Sequence, residues 1–245
     1  NSVNSEIIFK CWKKLNKSFK KRVFIISNYN LLKQQFNKLH FSNKIERVKN
    51  FNKPSENVNL KIIDLNLNFK NEFNVSKVAS SKFVIASLNL AHKLALRDDV
   101  CGLINCAISK NLLNKSKIGV TEYLANKCKL KNESEVMLIR NKKFSVSPIT
   151  THLNIRDVSK KIKKKTIVNK VKTINKWFEK KMSKKPKIGI LGLNPHNAEY
   201  RSDSEEKRII IPAINMLKKL KMNVRGPLVS DTIFMNEFKK FDVIV

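Results

Sequence analysis

From Ile188 to Leu193 the chain runs Ile-Gly-Ile-Leu-Gly-Leu without one polar side chain, then turns abruptly into Asn194-Pro195-His196-Asn197. A short apolar run without alternation is what a strand covered on both faces requires, and such strands belong to parallel sheets. Pro195 ends the pairing, because it has no N–H to give a ladder. His196 is therefore delivered just past the strand's carboxyl end, where open α/β sheets hold their ligands. His152 arrives in the same way, after Phe144-Ser-Val-Ser-Pro-Ile-Thr-Thr151.

The rest of the chain alternates in the same manner. Strands are expected at Arg22–Ser27, Leu60–Leu65, Val100–Cys106, Val136–Arg140 and Phe144–Ile149, the last two as a hairpin across Asn141–Lys143. Helices are expected from the amino end through Leu15, with Ile7, Ile8, Cys11, Trp12 and Leu15 inward, and over Tyr29–Leu39, with Leu31, Leu32, Phe36 and Leu39 inward. A long helix spans Val75–Leu96, with Ala79, Phe83, Ala86, Leu90 and Leu94 as its buried stripe. Further helices run from Thr166 to about Met182, after the Asp203-Ser204 cap, and after Ser230-Asp231. Strands and helices in turn give an α/β fold with a mainly parallel sheet. The 245 residues suffice for two small lobes or one large one. With five Gly in the chain and no Gly-x-Gly-x-x-Gly or Walker loop among them, a nucleotide cofactor needs another kind of pocket.

Composition excludes several classes. The 51 basic and 19 acidic residues leave a net charge of +32, which raises nucleic acid as a partner. The basic residues are mostly Lys, scattered through every segment, whereas a binding patch concentrates on one element with Arg and aromatics. No specific nucleic-acid partner is expected. Cys11, Cys101, Cys106 and Cys128 form no Cys-x-x-Cys pair, which fits inert thiols in a reducing cytoplasm. No apolar run approaches the ~18 residues that span a bilayer, so no membrane partner is expected. The missing initiator Met, and an ending in the strand-like Phe241–Val245, read as a piece of a longer protein.

On the residues alone, His152 and His196 are a divalent-metal pair, a catalytic base with its helper, or two unrelated turn residues. Thr121, in Gly119-Val-Thr-Glu-Tyr123, is either an ordinary helix cap or a hydroxyl that meets an anion at the helix's positive end. Asp231 is the cap of a last helix, a site carboxylate, or both. His40 reads as a helix-end cap, and His92 as a surface or core-edge residue.

Three phrases in fixed order narrow this: Thr150-Thr-His152-Leu-Asn-Ile-Arg156-Asp157-Val158, Gly192-Leu-Asn-Pro-His196-Asn-Ala-Glu199 and Gly226-Pro-Leu-Val-Ser-Asp231-Thr232-Ile-Phe234. Together they resemble the 4-hydroxythreonine-4-phosphate dehydrogenase family of vitamin B6 synthesis, and the likeness is strongest from Gly119 onward. The resemblance implies a two-lobed α/β/α sandwich like that of isocitrate and isopropylmalate dehydrogenases. Residues 1–117 would form a first lobe lacking its N-terminal strand, and 118–245 a metal-bearing, dimerising lobe lacking its C-terminal part.

The resemblance also implies a reaction and a site. NAD or NADP oxidises the 3-hydroxyl of 4-phosphooxy-L-threonine, and the product decarboxylates to 3-amino-2-oxopropyl phosphate. His152 and His196 match two ligands of a divalent cation (Zn, Mg, Mn or Co), with a third His expected beyond Val245. Thr121 matches a substrate contact, while Val120 replaces the family's His and can neither donate nor accept a hydrogen bond. Asp231 matches the family's Ala-Asp-Thr turn, and Asp157 and Glu199 are candidate carboxylates behind the ligands. A cytoplasmic homodimer with the site at its interface is implied as well. Val120 leaves open a paralogue acting on another phosphorylated hydroxy acid such as phosphothreonate. A non-catalytic, polyanion-binding α/β protein is the alternative from another class.

Overall fold

A computed structural model describes residues 2–49, 57–113, 119–130, 134–151 and 153–245. The chain divides into two compact units, Asn1–Cys128 and Lys129–Val245. It is a mixed α/β protein with mainly parallel sheets.

The first unit holds helices α1 (Asn4–Lys14) and α2 (Lys17–Arg22), strand β1 (Phe24–Ser27), helix α3 (Tyr29–Lys38), strands β2 (Ile45–Arg47) and β3 (Leu60–Asp64), and helices α4 (Lys77–Ala95) and α5 (Val120–Lys127). β3 lies between β1 and β2 and pairs in parallel with both. Asn16 and Asn28 cap α2 and α3 by accepting the Phe19 and Leu31 N–H groups, each at 2.9 Å. Phe9, Trp12, Leu32, Phe36, Leu60 and Ile62 form the core. Phe9 stacks on Phe41 with ring centres 3.9 Å apart, and Phe36 meets both rings edge-on.

Two expectations hold only in part here and a third fails. At α1, Ile8, Trp12 and Leu15 turn toward the core as expected and Ser5 and Phe9 are buried with them, while Ile7 and Cys11 face solvent. Phe9 sits one helical step from the expected stripe, and its large ring area decides which face turns in. In α4 Ala79, Phe83, Leu90 and Leu94 are half-buried, but Ala86 is exposed and the fully buried residue is Leu88, because a helix that is apolar nearly all round does not choose its own face. Val100–Cys106 forms no strand, and Ile104 is 97% exposed. A strand needs a ladder partner, and apolar composition does not supply one.

The second unit holds strands β4 (Ile139–Arg140) and β5 (Ser145–Val146), helices α6 (Ile155–Lys161) and α7 (Lys164–Met182), strand β6 (Ile188–Leu191), helix α8 (Ile211–Lys219) and strands β7 (Val224–Leu228) and β8 (Val243–Ile244). The sheet order is β4-β5-β8-β6-β7, antiparallel only at the β4–β5 hairpin. β6 is thus interior, as its apolar run requires. Helix α7 lays Ile167, Val171, Ile174 and Phe178 against Ile188 and Ile190 of β6 and Ile214 and Leu217 of α8. Each such side chain contributes roughly 1.5–3 kcal/mol by leaving water. Gly226, with φ of +146°, is required between β7 and β6, since a Cβ there would overlap the Ile190 carbonyl. No helix follows Ser230-Asp231, where the chain makes turns before a short 3₁₀ segment at Glu237–Lys240. Among the described residues no helix is long and apolar enough to cross a membrane.

Candidate active site

β6 delivers His196 as its sequence predicts, but the turn that carries it is unusual. His196, Asn197, Ala198, Glu199 and Tyr200 all have φ between 49° and 56°, a full left-handed turn without a glycine. L-residues take that conformation at a cost of roughly 1–2 kcal/mol each, so surrounding contacts must hold it. The Asn197 and Arg201 N–H groups donate within the turn to the Asn194 and Ala198 carbonyls, at 3.1 and 3.0 Å. The buried Asn197 amide donates to the Tyr200 hydroxyl at 3.2 Å and to the Pro227 carbonyl at 3.3 Å. Gly192 is needed beneath it, because a Cβ there would overlap Asn197 Oδ1.

The strongest support is a residue the sequence did not single out. Glu206 is 0% exposed. Its Oε1 accepts the Leu193 and Asn194 main-chain N–H groups, both at 2.8 Å, and its Oε2 accepts the Asn194 side-chain amide at 3.0 Å. Burial pushes its carboxyl upward, but these hydrogen bonds outweigh burial and hold it below the usual range, so it is an anion. Glu205 accepts from the same amide at 2.9 Å. An acidic residue in the first turn of a helix normally reads as a partner of the helix dipole. The one signal in the sequence was the doubled Glu205-Glu206 after the Ser204 cap, of which only one is needed for that role.

Asp231 also meets the turn. Its Oδ2 accepts the His196 main-chain N–H at 3.3 Å and lies 3.8 Å from His196 Nδ1. The His196 side chain is 76% exposed and Asp231 42%, so the pair is open to a ligand. With turns and no α-helix after it, Asp231 makes its contact, among the described residues, with the histidine turn. An imidazole nitrogen beside a carboxylate is a donor set that suits a divalent transition metal. No group of three such donors occurs among the described residues. His152 lies outside the described residues. Neither Asp157, 3.9 Å from Arg156, nor the exposed Glu199 hydrogen-bonds His196.

Thr121 belongs to the first unit. Gly119 is the cap of α5, so Thr121 sits exposed inside its first turn instead of capping it. Val120 is half-buried against the cluster of Leu88, Leu113 and Tyr123. Tyr123 donates its hydroxyl to Asn89 on α4 at 2.8 Å, which fixes α5 on α4. His92, on α4, lies 3.3 Å from Cys128 Sγ and takes no part in the candidate site.

Comparison with known proteins places the chain in a family. The family model described as "Pyridoxal phosphate biosynthetic protein PdxA" matches residues 19–245. The chain belongs to the PdxA family. A PdxA relative from Sulfurihydrogenibium sp. (strain YO3AOP1), named 4-hydroxythreonine-4-phosphate dehydrogenase, is 33% identical over all of this chain and 76% of its own length. One of the same name from Aquifex aeolicus (strain VF5) is 36% identical over 71% of this chain and 55% of its own. The crystal structure of 4-hydroxythreonine-4-phosphate dehydrogenase from Klebsiella pneumoniae superposes with a TM-score of 0.85 over 98% of this chain and 76% of its own, at 22% identity. That likeness establishes the dehydrogenase-type α/β fold.

Proposed function

We propose that this PdxA-family chain is an oxidoreductase of pyridoxal phosphate biosynthesis, acting on 4-phosphooxy-L-threonine with NAD or NADP. The substrate loses a hydride from C3 to the nicotinamide and a proton from its 3-hydroxyl. The β-keto acid so formed then releases CO₂ to give 3-amino-2-oxopropyl phosphate. The observation that carries the proposal is the pairing of His196 with Asp231 on a braced turn at the end of β6, in a chain of this family.

His196, with Asp231 beside it and His152, would hold a divalent cation. When bound, that cation supplies the Lewis acidity that favours loss of the hydroxyl proton and stabilises the negative charge left by decarboxylation. Asp231 keeps the imidazole presented, through the His196 N–H and its own closeness to Nδ1. Thr121 offers a hydroxyl to an anionic group of the substrate near the positive end of α5. Val120 offers nothing comparable, so the substrate meets one polar contact fewer on this helix. The working form is a cytoplasmic homodimer with the site at its interface.

Metal titration and NAD⁺ reduction on 4-phosphooxy-L-threonine, for wild type and His196→Ala, test this. Turnover in the variant should fall by more than the ~10–100-fold that loss of an outer partner costs a metal site, and its metal affinity should fall with it. Stoichiometric metal in the wild type without turnover on this substrate, but with turnover on phosphothreonate, would replace the substrate. An active, metal-loaded His196→Ala would overturn the site.

A further inference from the structure

We infer that Glu206 is a positioning residue for His196, setting where the imidazole stands although it touches neither the ring nor a reacting atom. The inference rests on the proposed metal role of His196 and extends it to a residue inside the fold. Glu206 Oε1 fixes the directions of two successive N–H groups, those of Leu193 and Asn194. One residue then separates the clamped segment from His196, and it is Pro195, whose ring locks φ. Asp231 takes the N–H of His196 itself. The main chain from Leu193 to His196 is thus held by two carboxylates from different elements and one ring, with little freedom left to the histidine.

The helix that carries Glu206 is shaped for this contact. Residues Glu206–Ile210 form a π-helical segment that leads into α8. Pro212 lies at the junction and has no N–H to give the Arg208 carbonyl, so the ordinary helical ladder cannot continue through it. Such wide turns recur at functional sites. This one brings a fully buried carboxylate under the strand end, while the neighbouring Glu205 stays half-buried and accepts from the Asn194 side chain, with no main-chain N–H among the described residues.

The test is Glu206→Gln in the protein at its natural length, with Zn²⁺ or Mn²⁺ titrated directly. Glutamine keeps the shape and one acceptor oxygen but turns an amide NH₂ toward the Asn194 amide, donor against donor. Metal affinity should fall about 10–100-fold, and kcat should fall more than KM changes. Two controls separate positioning from general loss of stability. Glu205→Gln should leave metal affinity within about 3-fold of wild type, since the main-chain clamp stays. Leu217→Ala opens the core at α8 without touching the turn; it should lower the melting temperature at least as far as Glu206→Gln yet bind metal as wild type does. Equal metal affinity in Glu206→Gln and wild type, or equal losses in Glu206→Gln and Leu217→Ala, would overturn the inference. A wild-type protein that binds no metal would instead overturn the proposed site on which it rests.

Discussion

Lys61 in the first unit and Glu206 in the second are both fully shut off from solvent, and both titrate below their ordinary values. The shared direction has opposite meanings. For Glu206 a lowered value means that the fold favours the charge, because two main-chain N–H groups and an amide outweigh burial. For Lys61 it means that the fold resists the charge. Burial in β3 dominates, the Glu46 carboxylate opposes it and Lys21 adds to it. The Lys61 ammonium donates to the Lys20 carbonyl in the last turn of α2 at 2.9 Å and reaches the Asn57 carbonyl at 3.5 Å. Neutral carbonyls satisfy a cation's donors without cancelling its charge. The carboxylate therefore acts as a clamp, whereas the lysine is a partly compensated burden whose stem fills a strand and whose tip caps a helix.

The largest break in this comparison comes from removing the clamp. Glu206→Leu strands two main-chain N–H groups and an amide, and each unsatisfied buried group costs roughly 1–3 kcal/mol. Urea denaturation should show a loss of about 3 kcal/mol. A loss within the ordinary ±0.5 kcal/mol of a surface change would mean that the turn holds itself. The titration gives a second measure. Glu206 has a folded value below its ordinary 4.5, so its contribution is fully present above that value and is lost as pH falls through the folded one. The stability gap between wild type and Glu206→Gln should stay constant from neutral pH down to about pH 5 and narrow below it. A gap that widens with acid would reverse the sign assigned to the clamp.

How much of this was legible beforehand follows the same division between local and non-local causes. β6 could be read from its apolar run, because a strand covered on both faces writes that fact into every residue, and His196 followed from Pro195. The strand pairing of Val100–Cys106 could not be read, since whether an edge is available depends on residues far away. Asp231 was expected to begin a helix on the strength of Ser230-Asp231. The chain turns instead, and the carboxylate goes to the His196 N–H. Glu206 stayed hidden because its partners lie 12 and 13 residues back, across a turn in a conformation that nothing in its composition announces. Lys61 was hidden inside the strand Leu60–Asp64, where alternation would point it to water; both faces there are covered, so its amine reaches out along the sheet to a helix end.

The smallest and most discriminating effect belongs to Lys61→Met. The variant removes a disfavoured charge from β3 but also the hydrogen bond to the Lys20 carbonyl, worth about 1 kcal/mol. At neutral pH the two nearly cancel, and the net change should lie within about 1 kcal/mol. The pH dependence separates them. Between the lowered folded value and the ordinary 10.5, the unfolded wild type binds more protons than the folded one, so wild-type stability rises with pH across that window. Methionine has no such term, and the remaining lysines are common to both proteins. Urea midpoints at neutral pH and at about pH 9.5 should therefore show wild type gaining on Lys61→Met as the solution becomes alkaline. If it loses ground instead, the Lys61 charge is stabilised in the fold. The carbonyls and Glu46 would then be outweighing burial, and the two buried charges would be clamps of the same kind.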